Sequence, residues 1–371
     1  MNQDYVTQLR LQLREAALRE ERRAPRAQRF VHARRGLPGR APLAAALAIA
    51  LFALAAAIGV LQLRDGSEPV KPKVIESFHV GDNLGSLSFG FGAAWLGDPV
   101  RGQVLRVDPK TRNVTARIDP FPQTARLGRP VAGEVIAVAG AGAVWALAGD
   151  LLTSGSEGAV QLDRIDPQRA IVTARIPVRS PGGGNFAPLF VHAGDDYVWV
   201  VGRQGALRIN PRRNAADRFV AYREDVQAVA DGNRVFTLTT EGNLRELDAA
   251  TGRVVNDVAV TTRAHERLIL GPPGFLALGG ATTLSLLDRS GKVRWTADVG
   301  AEVRAVDFDG DSVWAHVSRE PEGPDRLVRL DAETGRTTGS LGLKATEGVS
   351  LARVGDALWV ADPGGDVTVV R

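Results

Sequence analysis

The strongest constraint on the fold of this chain is an apolar–aromatic pair that recurs from residue 94 to the C-terminus. Successive pairs are separated by 37 to 54 residues. The pairs are Ala94-Trp95, Val144-Trp145, Val198-Trp199, Val235-Phe236, Phe275-Leu276, Val313-Trp314 and Leu358-Trp359. Recurrence at such a period indicates a repeat architecture, in which each unit buries its apolar face against its neighbours.

Each repeat reads as four strands. The pair is followed by an apolar run that ends in an acidic turn, such as Val107-Asp108-Pro109, and then by an alternating run such as Val114–Ile118. Alternation with a period of two is typical of half-buried strands. Four short strands per repeat predict a β-propeller of seven blades, with six or eight as alternatives because Phe275-Leu276 is a weak aromatic position. Longer helical patterns are absent after Leu63, which disfavours a doubly wound α/β fold.

The two ends of the repeat region predict how the ring closes. After Leu358-Trp359 there is room for one further strand, Asp366–Val370, so the last blade lacks its outermost strand. The segment Val74–Val80 reads as an orphan outer strand that precedes the first blade. Pairing of the two segments would close the ring and remove an exposed sheet edge, so the predicted propeller spans 74–371.

The N-terminal part has a different composition. Residues 41–61 are apolar and uncharged and lie between Arg40 and Arg64. This length suits a membrane-spanning helix, which we assign to 41–63, and the arginines before it predict a cytoplasmic N-terminus. Residues 1–40 then form a basic tail with an amphipathic helix, which either lies on lipid, docks a cytoplasmic protein or is merely solvated, and 64–73 form a linker. A cleaved secretory signal is the alternative to the anchor.

The charge distribution argues against nucleic-acid binding. The net charge is +4 and the pI is about 9.7, values that suggest an acidic partner. Residues 1–64, however, carry a net +7 and residues 65–371 a net −3, so the basic character belongs to the tail. The chain has no Cys, which excludes disulfides, Cys-ligated zinc, iron–sulfur centres and a thiol nucleophile.

Three turn motifs carry a resemblance to known families. Leu247–Val254, Leu287–Trp295 and Leu330–Arg336 resemble the repeat of quinoprotein-type (PQQ-like) propellers, while Val107–Thr111 and the Val-Trp pairs resemble YVTN-type and virginiamycin B lyase-like propellers. The resemblance implies that the turn aspartates and the tryptophans lock neighbouring blades together. These residues are Trp95, Trp145, Trp199, Trp295, Trp314, Trp359, Asp108, Asp166, Asp248, Asp288 and Asp331.

Catalytic features of these families are not evident in the sequence. The resemblance to alcohol-type quinoproteins implies a vicinal disulfide under the cofactor, and this chain has no Cys. The resemblance to streptogramin lyases implies paired histidines with an acid and a metal, whereas the histidines of the repeat region are far apart, at positions 79, 192, 265 and 316. We therefore predict no cofactor and no metal. The best acid–base candidate is His265, next to Glu266.

The connections predict where a binding site would lie. Four long ones, Asp119–Glu134, Gly149–Ala159, Pro177–Pro188 and Ser318–Asp325, all join strands at the same face of the predicted propeller. Long loops on one rim of a rigid scaffold commonly carry binding. The polar candidates on this rim are Arg126, Arg129, Arg179, Asn185, Arg223, Glu224, Asp225, Arg263, Glu302 and Glu347.

These inferences predict a single-pass membrane protein whose extracytoplasmic propeller binds a protein or a small molecule without chemistry. One alternative is a lyase or hydrolase with a composite site at the central channel, which would gather two His or carboxylate groups within about 4–6 Å and shift their pKa values. A second alternative is a transmembrane sensor that reports ligand binding through the tail of residues 1–40.

Overall fold

The computed structural model describes residues 71–119, 135–148, 160–179, 188–222, 227–260, 267–271, 274–319, 323–344 and 348–371. All regular structure in these ranges is β-strand. The predicted tail and membrane-spanning segment lie outside the described residues. Within the described ranges no helix is long and apolar enough to cross a membrane.

The described residues form 28 strands. The first half consists of β1 (Val74–His79), β2 (Ser86–Gly90), β3 (Ala93–Asp98), β4 (Gln103–Val107), β5 (Val114–Ile118), β6 (Val135–Gly140), β7 (Ala143–Ala148), β8 (Gln161–Asp166), β9 (Ile171–Pro177), β10 (Pro188–Ala193), β11 (Val198–Gly202), β12 (Gly205–Asn210), β13 (Ala215–Ala221) and β14 (Gln227–Asp231). The second half consists of β15 (Arg234–Leu238), β16 (Asn243–Asp248), β17 (Val254–Ala259), β18 (Arg267–Leu270), β19 (Phe275–Gly279), β20 (Thr283–Asp288), β21 (Val293–Asp298), β22 (Glu302–Phe308), β23 (Ser312–Ser318), β24 (Arg326–Asp331), β25 (Thr337–Gly342), β26 (Ser350–Val354), β27 (Ala357–Ala361) and β28 (Asp366–Val370).

The strands form seven antiparallel sheets of four, which confirms a seven-bladed propeller. Blade 1 is β2 to β5, blades 2 to 6 follow in groups of four, and blade 7 is β26, β27, β28 and β1. The first strand of each blade is innermost and contacts the first strands of neighbouring blades, for example β2 with β6 and with β26. The seven blades surround one central channel, as in other propellers.

Ring closure follows the predicted pairing. Strand β1 is antiparallel to β28, with Val74 opposite Val370 and His79 opposite Asp366. The closing strand ends at His79, one residue before the predicted end, because the Val80 amide donates to the Gly365 carbonyl at 2.9 Å instead of continuing the ladder. Beyond the other end, the amide of Lys73 donates to the Arg371 carbonyl at 2.8 Å, so the two chain segments are joined along the whole strand.

The core consists of seven apolar clusters, each between two neighbouring blades. The aromatic residue of the second strand of a blade packs against the following blade, as Trp95 does against Val135, Ala137 and Ile165 of blade 2. Trp145, Trp199, Phe236, Trp314 and Trp359 occupy the matching positions in other blades. Because burial of a large aromatic side chain is worth several kcal/mol, these clusters fix the blades rigidly around the channel.

Blade 5 departs from the predicted repeat register. In blades 4, 5 and 6, Val235, Leu276 and Val313 each pair with the last leucine of the third strand of their own blade. Leu276 therefore corresponds to the valine of the repeated pair, and the aromatic position that follows is held in blade 5 by Ala277. Trp295, on the outermost strand β21, fills the same cluster. Its indole nitrogen donates to the Ala332 carbonyl at 2.9 Å, and a Cβ on Gly335 would lie 2.6 Å from its ring. Blade 5 therefore locks onto blade 6 through its outer rather than its second strand.

The acidic turns hold their own backbone. Oδ1 of Asp108 accepts the amides of Lys110 at 2.7 Å and Thr111 at 2.9 Å. Bonds of this kind recur at Asp166, Asn210, Asp248, Asp288 and Asp331. The backbone amides, with that of Thr111 foremost, hold the pKa of Asp108 below its usual value. The aspartate bonds run within each turn and do not join two blades. Two tryptophans do join blades, because the Trp199 indole donates to the Gly232 carbonyl at 3.2 Å and the Trp295 indole donates to the Ala332 carbonyl.

Candidate functional site

The propeller has two unlike faces. The loop face carries the connections between second and third strands and between blades, and the turn face carries the hairpins between first and second and between third and fourth strands. The long connections 119–134, 149–160, 178–187 and 319–325 all join strands at their loop-face ends. Turns on the other face are as short as 91–92 and 232–233. The loop face is therefore the irregular side of a regular scaffold.

Two of the predicted rim residues lie within the described ranges. Arg179 is exposed and follows β9 of blade 2, whereas Glu302 starts the inner strand of blade 6 and lies 3.1 Å from Arg304. No described contact joins these two residues. The other candidates lie outside the described residues, and so does the predicted acid–base pair. They are Arg126, Arg129, Asn185, Arg223, Glu224, Asp225, Arg263, His265, Glu266 and Glu347.

Blade 6 contains a buried histidine–aspartate pair near the loop face. His316 Nε2 lies 2.8 Å from Asp325 Oδ2, and the two side chains are 0% and 1% exposed. His316 lies on the face of β23 that packs against blade 7, alongside Trp314, and Asp325 immediately precedes β24. Burial lowers the pKa of His316, while hydrogen bonding to Asp325 opposes that shift. The second polar atom of each group, His316 Nδ1 and Asp325 Oδ1, is buried without a hydrogen-bond partner among the described residues.

Blade 2 contains a second buried carboxylate, Asp163. It is fully buried on β8, accepts a bond from the Gln161 side-chain amide, and lies 3.6 Å from Arg175 Nε. Burial raises the pKa of Asp163 to about 6, against the smaller opposing effects of Gln161 and Arg175. Its other oxygen, Oδ2, has no hydrogen-bond partner in the part of the chain that the structure describes.

Buried polar atoms without hydrogen-bond partners among the described residues occur towards both faces, and at the turn face they include His192 Nε2 and Asp307 Oδ2. Towards the loop face, besides those of Asp163, His316 and Asp325, they belong to residues at the loop-face ends of strands in blades 1, 4 and 6. These are Asp98 Oδ2, Gln103 Oε1, Thr237 Oγ1 and Arg326 Nε. Most buried polar groups in proteins are hydrogen-bonded, because leaving one unpaired costs about 1–3 kcal/mol. Such costs are commonly retained at functional sites.

These buried groups are not among the residues predicted from the sequence, although the sequence carries a signal for them. Asp163 interrupts the apolar face of Gln161–Asp166, and His316 stands where the alternation of Ser312–Ser318 calls for an apolar residue. A charged residue at a core position of a strand is unusual unless it is paired or functional. The predicted candidates are charged side chains of the rim loops, and they do not include the charged side chains buried beneath the rim.

The described histidines do not assemble a metal site. His79 pairs with Asp366 at 2.9 Å on the exposed surface of blade 7, while His192 and His316 lie in blades 3 and 6. Within the described ranges, no group of three or more His, Asp or Glu side chains is close enough to hold a metal ion. No protein-family model matches the chain, and no curated protein matches it.

Proposed function

We propose that this protein is a non-catalytic binding module whose loop face engages a protein or small-molecule partner. The carrying observation is that the long connections of this closed seven-bladed propeller all join strand ends at one face. Long loops carried at one rim of a rigid scaffold commonly form binding sites. The proposal therefore assigns recognition to the loop face and stability to the turn face.

Burial of the histidine–aspartate pair favours binding over catalysis. The separation of His316 and Asp325 satisfies the distance expected of an enzyme site, and the pKa of His316 is lowered by burial. An acid–base group must come within hydrogen-bond reach of the proton that it transfers. With exposures of 0% and 1%, neither side chain reaches a substrate in this conformation, so a structural role beneath the rim fits the pair better.

The proposal also includes a membrane anchor. The apolar run of residues 41–63, with arginines concentrated before it, supports a single span with a cytoplasmic N-terminus and an extracytoplasmic propeller. Cell fractionation tests this part separately. The full chain should sediment with membranes and resist extraction at high salt, and a variant that starts at residue 67 should be soluble. A full chain that leaves the membrane in high salt would contradict the anchor.

Grafting one connection tests the role of the loop face. In blade 2 the connection 149–160 joins two adjacent antiparallel strands, as does the short connection 203–204 of blade 3. Replacing the blade 2 connection with Arg203-Gln204 should keep both strands, because a tight hairpin already connects their counterparts. We expect the graft to remove most of the protein that co-purifies with the full chain after chemical cross-linking in its own cells.

A turn-face variant is the matched control. Val254 and Val255 are both 52% exposed at the turn-face end of the outer strand β17, so changing both to Ser removes surface apolar groups with little effect on the core. The recovery of cross-linked partner should be unchanged in this variant. Equal recovery from the graft and the full chain would contradict binding at this connection, and loss in the turn-face variant alone would move the site to the other face.

A further inference from the structure

A cavity opens at the turn face, on the side opposite the proposed recognition loops. Its volume is about 490 Å³, within the range of about 300–1,000 Å³ typical of small-molecule sites. It is lined by the turn-face ends of the inner strands of blades 2 to 5 and by the turns that follow β10 and β14. The cavity therefore lies at the mouth of the central channel and shares no residue with the loop-face connections.

The walls of the cavity combine an apolar surface with acidic groups. Val138, Val191, Ala230 and Leu270 supply apolar surface from four blades. The polar lining includes Asp195, Asp196 and Asp231, together with the ring of His192. An apolar wall with a few placed polar groups is the usual composition of a ligand site.

The charges at the cavity leave a net negative site. Asp231 pairs with Arg289. The guanidinium of Arg208 lies 4.4 Å from the centroid of the Tyr197 ring. Arg208 also pairs with Asp217 at 2.8 Å. These two cations are thus neutralised within the fold. Asp195 and Asp196 are exposed and make no ion pair within the described residues. A cationic ligand would meet two carboxylates there without displacing an existing ion pair.

His192 contributes a polar ring to the cavity wall but no charge. Its Nε2 atom is buried and has no partner among the described residues. Burial lowers the pKa of His192 to about 4, against the opposing charge of Asp231, so the ring is neutral near pH 7. A neutral imidazole in the cavity wall adds no positive charge that would repel a ligand ammonium.

We propose that the turn-face cavity binds a small organic cation, in which a primary ammonium is attached to an apolar body such as an aryl-alkyl group. The ammonium is held by Asp195 and Asp196 beside the neutral ring of His192, and the apolar body lies against Val138, Val191 and Leu270. A bare metal ion fits less well, because no group of three acidic or histidine side chains within the described ranges is close enough to coordinate it. This site is independent of the proposed loop-face function.

Calorimetric titration of the full chain in detergent micelles tests the proposal, with empty micelles as the blank. The probes are 2-phenylethylamine, the neutral 2-phenylethanol and the anionic phenylacetate, which share the aryl-alkyl body and differ in charge. We expect the amine to bind at least tenfold more tightly than the alcohol and the anion not to bind. Equal affinity for amine and alcohol, or no heat of binding for the amine at millimolar concentration, would overturn the proposal.

Two variants and a matched control locate the site. Asp195→Asn with Asp196→Asn should reduce the preference for the amine over the alcohol to less than threefold, and Leu270→Trp should block both ligands by filling the cavity. The control, Asp311→Asn with Asp356→Asn, removes the same charge from exposed inner turns of blades 6 and 7 and should change affinity less than twofold. Equal loss in the control would show a nonspecific charge effect and would refute the site. The paired Asn variant changes only exposed side chains, so the test does not depend on folding of the Trp variant.

Discussion

The loop face and the turn face are built from the same strands but follow different rules. On the turn face, Asp108, Asp248 and Asp331 each bond the amides of their own turn, and the chain turns within a few residues. Near the loop face, Asp163 and Asp325 are buried, and each has one oxygen without a hydrogen-bond partner among the described residues. The carboxylates of the acidic turns are thus hydrogen-bonded within their own turns, whereas these two buried carboxylates are only partly hydrogen-bonded, at a cost in stability.

This difference fits the proposed division of roles, with recognition at the loop face and stability at the turn face. The repeating turns and the inter-blade tryptophans define a rigid ring, and substitutions there should mainly reduce stability. The buried polar groups below the loop face reduce stability already, so removing them should stabilise the protein. Trade-offs of this kind are common where a binding surface is superimposed on a stable scaffold.

Removal of Trp295 should have the largest effect. Its side chain is only 8% exposed and fills the junction of blades 5 and 6 against the turn that contains Gly335. Trp295→Ala should lower the free energy of unfolding by about 3–5 kcal/mol through the cavity that it leaves. Urea unfolding followed by circular dichroism measures the loss, with Thr296→Ala, at an exposed position of the same strand, as the control. A cost below about 1 kcal/mol would show that the outer-strand lock is not needed.

Replacement of Asp163 should stabilise the protein in a pH-dependent way. Its pKa in the folded state is raised from 3.8 to about 6, so folding favours the protonated carboxyl. The stability that the protonated carboxyl provides is present at low pH and is lost as the pH rises through about 6. Asp163→Asn retains an acceptor for Gln161 and should raise the free energy of unfolding by about 2 kcal/mol at pH 7.5. The gain should disappear below pH 4, where the carboxyl is protonated in both states. Destabilisation at pH 7.5 would contradict this account.

Removal of a buried hydroxyl should give the smallest effect. Thr237 is fully buried towards the loop-face end of β15, and its Oγ1 has no hydrogen-bond partner within the described ranges. Thr237→Val preserves the shape and should raise the free energy of unfolding by about 1 kcal/mol, since the unpaired group is removed. Thr237→Ser keeps the hydroxyl and should give no gain. A loss of stability in the Val variant would mean that the hydroxyl is paired after all.

Much of the fold could be predicted from local pattern. The recurring pairs, the alternation of the strands and the unmatched ends at Val74 and Val370 determined the blade number and the ring closure. Blade 5 was assigned one residue out of register because Phe275-Leu276 imitates the pair, while Trp295 supplies the aromatic group from another strand. The pairing of strands, which the sequence pattern alone does not show, settles that assignment.

The candidate sites were harder to predict than the fold. The loop face could be identified from the lengths of its connections, but most of the proposed rim residues remain predictions because they lie outside the described residues. The pair His316 and Asp325 depends on the approach of a loop to a strand, and the cavity at His192 depends on the meeting of four blades. Contacts of this kind arise from closure of the ring and leave little periodic signal in the chain.

Photo-cross-linking at the two ends of one strand tests the division of roles most directly. Strand β9 starts at Ile171, 40% exposed on the turn face, and is followed on the loop face by the exposed Arg179. A photoreactive benzoylphenylalanine at each position in turn, in the full chain and in its own cells, compares the faces on equal terms. We predict a cross-linked partner from position 179 and none from position 171. Adducts from position 171 alone, or equal adducts from both, would contradict recognition by the loop face.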